Sequence, residues 1–508
     1  MIPLIKLENK FATSPLFFQV FAIACGLMFT LSVYAFFVES FKEARIFLYS
    51  SLTGFLIFSL VKLATSNRNL KETGVTQLIS LILLFLLLPL FLAFPTWIIL
   101  PESDFMDAYL DMVGAFTTTG LPVFENDLLS RTLHLWRALV SWFGGGLILI
   151  AAFLILLPAS RGGLDVFFNK NTTSNLTRKL TLNERSMTLN KISKKLIPIY
   201  LGLTLILWCL LTSFGTDSYT SLIRAFSILS TSGIIGPEKF DSDGAGFAGE
   251  LVMAIFLLLA VSHNIMFSLD KKENIKNVFL NKELRLGLLT ISCVTVILTI
   301  KNISLNSTFF KLDEPFLNAL KLIWGNFFTA LSFMTTNGYV SSDWGLAFET
   351  VAMPHVIIIL LGLCLFGGGL ATTAGGIKLL RISVLFSAFS NETGKLLHPS
   401  SMPRSNINLT SLEISGFTAW IFFMLFVVSL ALVTIILAMF GMLFEEALIL
   451  AVSCLTTTGP IIQMFDLEPL LVSELSQLAK LVLIASMVLG RLEILVVLSV
   501  MTSAVRRA

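Results

Sequence analysis

The chain has 508 residues, 55% of them hydrophobic and only 13% charged, with a mean hydropathy of +0.86. Soluble domains carry about 25% charged residues, so the composition excludes a chain dissolved in water and leaves the membrane as its solvent. The net charge of +3 says little by itself, because where the charges fall matters more than their sum.

Spans need about 20 apolar residues. Residues 15–38 and 46–64 form a preliminary pair. The start, MIPLIKLENKF, lacks a cleavable signal pattern, since the apolar run after it is long and leads straight into another span. Long runs then follow near 76–100 and 132–157, 195–214 and 246–269, 284–304 and 350–388, and 411–441 and 472–503. Between the members of each pair lies a shorter segment: 104–118, 217–231, 315–335 and 445–457. These are mostly too short to cross. They read as re-entrant half-helices followed by irregular backbone, which membrane depth tolerates only in a watery cavity or buried in protein.

Each short segment ends alike. Phe116-Thr117-Thr118-Thr119-Gly120 is echoed by Ser230-Thr231-Ser232-Gly233, Thr335-Thr336-Asn337-Gly338 and Thr456-Thr457-Thr458-Gly459. Loops of this kind can surround one axis and offer carbonyl oxygens to a dehydrated cation. Glycine lets them approach closely, and the hydroxyls of Thr118, Thr231, Thr336 and Thr457 add ligands or tie the loops to the helices behind. The segments begin at Ser103-Asp104, Thr216-Asp217, Asp313-Glu314-Pro315 and Glu445-Glu446, acids suited to the positive end of a helix dipole. One TTTG alone is weak, because small residues also mediate membrane helix packing. Four in register point to an ion-conducting protein.

The expected fold is an all-α multi-pass membrane protein: two transmembrane helices, then four helix–pore loop–helix repeats in pseudo-fourfold arrangement around one pore. The boundaries are 1–70 for the helix pair and 71–165, 166–280, 281–400 and 401–508 for the repeats. Arg161, Lys170, Arg178, Lys179, Arg185, Lys191, Lys194 and Lys195, then Lys271, Lys272, Lys276, Lys282 and Arg285, and finally Arg506 and Arg507, mark the cytoplasmic side, with both termini there. Acids mark the other: Glu102, Asp104, Asp107, Asp111, Glu125 and Asp127 early, and Glu445, Glu446, Asp466, Glu468 and Glu474 late. They either form a cation-attracting vestibule or merely solvate loops.

With these loops, Leu135-Trp136-Arg137 leading to Trp142-Phe143-Gly144-Gly145-Gly146, Thr372-Thr373-Ala374-Gly375-Gly376-Ile377-Lys378 and Gly490-Arg491-Leu492-Glu493, the chain resembles the TrkH/KtrB/HKT superfamily of potassium transporters over essentially its whole length. The extra helix pair makes it most similar to a bacterial TrkH-type potassium uptake subunit. The resemblance implies K+ bound at Thr118, Thr119, Gly120, Thr231, Ser232, Gly233, Thr336, Asn337, Gly338, Thr457, Thr458 and Gly459, and no cofactor. It also implies a homodimer in the inner membrane, in contact with lipid, and a cytosolic nucleotide-binding regulatory ring of the TrkA type. Within the family, glycine at all four filter positions goes with potassium selectivity and a serine in the first loop with sodium transport; here all four are glycine. Here Ser232 and Asn337 stand where the other loops have Thr, and no second glycine follows Pro460.

The run 350–388 is too long for one span, and its middle, Gly367-Gly368-Gly369 to Gly375-Gly376, is glycine-dense. Each glycine weakens a helix by about 1 kcal/mol relative to alanine, so a break is expected there. Either the break serves helix packing, or it is the movable barrier that the resemblance implies, with Gly368, Gly369, Thr372, Thr373, Gly375, Gly376 and Lys378 as gate residues. It is not a phosphate loop, since Gly376-Ile377-Lys378 lacks the GK[ST] order. Arg491 sits within an apolar run, where a charge normally faces an interior cavity. Its partner is Glu493, Thr372 or a loop carbonyl, and the resemblance makes it a pore barrier touching the gate.

Cys25, Cys209, Cys293, Cys364 and Cys454 stand singly, and His134, His263, His355 and His398 lack metal-ligand spacing. With no nucleophile–base or metal constellation, an enzyme is not expected. Sodium- or proton-coupled transport, or weak K+/Na+ selectivity, remains open within the same fold. An organic-solute carrier is a more distant alternative, since such carriers usually have two inverted halves.

Overall fold

The computed structural model describes residues 16–65, 74–101, 103–152, 182–237, 246–261, 282–305, 315–347, 354–369, 372–397, 409–465 and 472–492. Backbone in hydrocarbon must satisfy its own hydrogen bonds, and the regular structure among these residues is all helical. In chain order the helices are α1 Leu16–Phe37, α2 Phe41–Thr65, α3 Gly74–Ile99, α4 Phe105–Phe116, α5 Arg131–Ala151, α6 Leu182–Ser213, α7 Ser218–Ser230 and α8 Gly246–Val261. They continue with α9 Lys282–Leu305, α10 Pro315–Met334, α11 Pro354–Phe366, α12 Leu379–Leu397, α13 Leu409–Met439, α14 Phe444–Thr456 and α15 Gln477–Leu492.

Among the described residues, seven helices are long and apolar enough to cross a membrane: α1, α2, α3, α5, α6, α9 and α13. Their outward faces carry large apolar side chains such as Leu63, Ile300, Phe417 and Met439, all more than 60% exposed. Water would penalise that surface, whereas lipid does not. The glycine-dense run separates α11 from α12 at residues 367–378, as the helix-breaking argument requires.

The helices that lead into the repeated loops organise the interior: α4, α7 and α14 are short, at 12, 13 and 13 residues, whereas α10 runs to 20. Each packs against the helices flanking it in sequence: α3 and α5, α6 and α8, α9 and α11, α13 and α15. Each also leans on one helix from elsewhere: α4 on α15, α7 on α5, α10 on α8, and α14 on α11. Those four contacts form a closed cycle. Directional bonds pin the first members, with Tyr109 donating its hydroxyl to Leu86 O at 2.9 Å and Trp136 its indole N–H to Leu92 O at 3.3 Å. Close approach uses missing side chains. A Cβ on Gly144 would lie 2.0 Å from Phe116 O, and one on Gly490 would lie 2.3 Å from Leu455 O.

The acids divide differently from the sequence expectation. Asp107 and Asp111 on α4 are 6% and 1% exposed, so neither faces an open vestibule. Asp107 pairs with Lys480 of α15, and Asp111 with Arg137 of α5 at 2.9 Å. A buried carboxylate needs such partners, and here they also rivet α4 to its neighbours. Glu125 and Asp127 are not buried. Glu102, Asp466, Glu468, Asp313, Glu314, Glu493, the 160–181 part of the basic loop, Lys271, Lys272, Lys276 and the C-terminal arginines lie outside the described residues. Lys194, Lys195 and Arg285 are exposed.

Candidate functional site

The four helices that lead into the loops end in the same backbone motif. Thr118 N–H donates to Ala115 O and Thr119 N–H to Gly114 O. The pattern recurs at Thr231 and Ser232, at Thr336 and Asn337, and at Thr457 and Thr458. These are the paired bonds of a Schellman helix ending, whose pivot residue is left-handed and usually glycine. Here the pivot is threonine each time, with φ of 57°, 53°, 59° and 57° at Thr118, Thr231, Thr336 and Thr457. A β-branched residue there is strained by about 1–3 kcal/mol. Threonine repeated at all four pivots marks these positions out; the sequence patterns did not predict the conformation, although threonine two places before each glycine was visible.

The loops then meet one another. A Cβ built on Gly120 would lie 1.9 Å from Ser232 O, and one on Gly233 would lie 1.9 Å from Asn337 O. Gly338 abuts the Pro460 ring, and Gly459 N–H donates to Thr119 O at 2.7 Å. First touches second, second third, third fourth, and fourth first. The predicted ring residues are thus brought together, and their polar side chains are at most 1% exposed. Thr119 O is turned toward the neighbouring loop, a departure from four equivalent free carbonyls.

Behind the ring, hydroxyls fold back onto their own helices. Thr117 Oγ1 donates to Val113 O at 2.7 Å and lies 2.8 Å from Thr119 Oγ1. Ser230 and Ser232 pair at 3.1 Å, as do Thr456 and Thr458. At the pivots, Thr231 Oγ1 donates to Ser230 O at 2.7 Å, whereas Thr118 Oγ1 and Thr457 Oγ1 are buried without a hydrogen-bond partner. Buried polar atoms of that kind call for a ligand or water.

The glycine-dense segment lies against the third and fourth loops. Gly375 N–H donates to Thr336 Oγ1 at 3.0 Å, and a Cβ on Gly375 would lie 2.2 Å from Thr457 Oγ1. Gly369 N–H reaches Ala260 O of α8, Gly368 O accepts from Leu379 N, and Thr372 Oγ1 donates to Gly369 O. Lys378 Nζ donates to Ala374 O, closing the segment on itself, and Gly376 takes φ 69°. Arg491 Nη1 donates to Thr373 O at 2.5 Å. Of the partners considered from sequence, a loop carbonyl is therefore the one observed. Arg491 is 5% exposed, and its Nε and Nη2 have no hydrogen-bond partner. All the expected gate residues in the described range sit in this one segment or touch it.

Sequence reasoning missed Glu250. It is 2% exposed on α8 and accepts from Ser341 Oγ at 2.7 Å, Ser342 N at 2.8 Å and Trp324 Nε1 at 2.9 Å. That carboxylate anchors the chain just after the third loop. A lone acid in an apolar run was the available signal. Cys25, Cys364 and Cys454 are buried free thiols, Cys209 and Cys293 exposed ones, and His134 is buried against Asn126 O, while no group of three or more metal-ligating residues occurs among the described residues.

An all-helical bundle carrying seven membrane-length apolar helices among the described residues is a multi-pass membrane protein. Residues 247–505 match the TrkH family, described as cation transport protein, and the chain belongs to that family. Among curated relatives, the Trk system potassium uptake protein TrkH of Escherichia coli strain K12 is 25% identical over 416 residues, covering 79% of this chain and 80% of that one. TrkG of the same strain is 26% identical over 427 residues, covering 82% of each. The crystal structure of the potassium transporter TrkH from Vibrio parahaemolyticus superposes with a TM-score of 0.77 at 20% identity, over 96% of this chain and 97% of that one, which shows a common fold. Family membership makes the chain a membrane transporter and not an enzyme.

Proposed function

We propose that this protein takes up potassium across the cytoplasmic membrane through one central filter built from the four Thr/Ser-x-Gly loops. In this reading the duplicated units surround a single pore, and K+ is held at the loop residues from Thr118–Gly120 to Thr457–Gly459. The observation that carries it is the closed ring of loop contacts, with a left-handed threonine behind every glycine. Repeated main-chain oxygens on helices whose negative ends point inward suit a cation that has shed its water.

Below the ring, the segment from Gly367 to Lys378 acts as the gate, and Arg491 holds it through Thr373 O while presenting positive charge to the pore. Inward flux is driven by the membrane potential, at about 2.3 kcal/mol per charge per 100 mV. Both termini face the cytoplasm. The partners are a second copy of the chain and a cytosolic nucleotide-binding ring; the relatives' names, which describe them as parts of a Trk system, favour a multi-component assembly.

The test is growth of cells stripped of their own potassium uptake systems. Expression is expected to restore growth at limiting potassium, and the purified protein in lipid vesicles is expected to carry rubidium. Transport of an organic solute with no rubidium flux would overturn the reading.

A further inference from the structure

The four seams of the ring are not alike. In the first, second and fourth loops the residue before glycine turns its hydroxyl back: Thr119 to Thr117, Ser232 to Ser230, and Thr458 to Thr456. Asn337 breaks that pattern. Its Oδ1 reaches across and accepts from Gly233 N–H of the second loop at 3.1 Å. Two residues on, Tyr339 spans the same seam, donating its hydroxyl to Ile234 O at 2.9 Å. Glu250 then holds the outgoing chain through Ser341 and Ser342. By contrast, Gly338 of the third loop meets the fourth through the apolar ring of Pro460, which also approaches Gly233 of the second.

We infer that Asn337 is a specificity-determining residue: its carboxamide, backed by Tyr339, clamps the second loop to the third and sets the spacing on which discrimination between potassium and sodium depends. This rests on the filter reading given above. A smaller ion is disfavoured where the ring resists closing around it. Side-chain bonds between loops supply that resistance where backbone contact does not. The clamp occupies one seam, so distortion under a smaller ion is directed to the apolar seam beside Pro460.

The experiment uses the full chain in lipid vesicles, with rubidium and sodium uptake measured side by side. Asn337→Thr supplies a hydroxyl that can pair with Thr335, as its counterparts do, but is too short to reach Gly233 N. The rubidium-to-sodium ratio is expected to fall about fivefold, the effect of losing one neutral hydrogen bond. Tyr339→Phe is expected to move the ratio the same way by less. A purely structural role would lower both fluxes in parallel and leave the ratio unchanged; that result overturns the proposal. Should Asn337→Thr fail to accumulate in the membrane, Tyr339→Phe decides alone, with an unchanged ratio counting against the clamp. Absence of rubidium flux in the parent protein would instead overturn the filter reading itself.

Discussion

Adding one methyl group at Gly120 should disable the ring. The glycine has φ of +65°, and a Cβ there would lie 1.9 Å from Ser232 O. Ordinary carbon–oxygen approach is about 3.3 Å, so the first and second loops must separate by about 1.4 Å. The left-handed backbone adds a penalty of about 1–2 kcal/mol for any L side chain. That penalty alone lowers the equilibrium constant for the native ring about tenfold, and the forced separation of the loops adds to it. Gly120→Ala is therefore expected to lose at least about tenfold in rubidium uptake at equal membrane abundance. Gly120→Ser carries the same Cβ, and with the loops forced apart its sodium-to-rubidium ratio is expected to rise. The matched control is Gly202→Ala on α6, where nothing lies within 4 Å of the new Cβ. Unaltered rubidium uptake in Gly120→Ala would refute both the ring geometry and its use as a conduction path.

Three further substitutions separate gate from scaffold. Gly375→Ala places its Cβ 2.1 Å from Thr456 O and should force the gate segment away from the fourth loop, changing rubidium flux several-fold at equal membrane abundance; unchanged flux would count against the gate role. Arg491→Ala removes the bond to Thr373 O and the positive charge, so flux is expected to rise; unchanged or reduced flux at equal expression would contradict the barrier role. Lys480→Met strands the buried Asp107 carboxylate and should destabilise the protein by about 3–5 kcal/mol, read as a lowered melting temperature in detergent. Adding Asp107→Leu should recover most of that loss, since an apolar pair of similar volume tolerates burial.

The loops were legible in sequence because glycine and hydroxyl residues interrupt apolar runs at fixed places, and local punctuation of this kind survives folding. The break before α12 was legible for the same reason, since glycine density acts through the local backbone. The acids were not. Asp107 looks like any loop-side carboxylate until Lys480, hundreds of residues later, is known to sit beside it. Asp111 likewise takes its meaning from Arg137 on another helix. Threonine at a left-handed pivot runs against its own conformational preference, so propensity pointed away from the observed geometry. Glu250 was overlooked because its partners Ser341 and Ser342 adjoin it only in three dimensions.

The cyclic lean of the loop-bearing helices has a consequence for synthesis. Helix α4 rests on α15, Lys480 neutralises Asp107, and Gly459 meets Thr119, so the earliest quarter of the circle is completed by the latest. A nascent chain halted before α14 leaves the first loop without its closing neighbour and a carboxylate without its counter-ion. Unfinished copies therefore lack the contacts that close the circle of loops, and assembly of the first loop waits on the last.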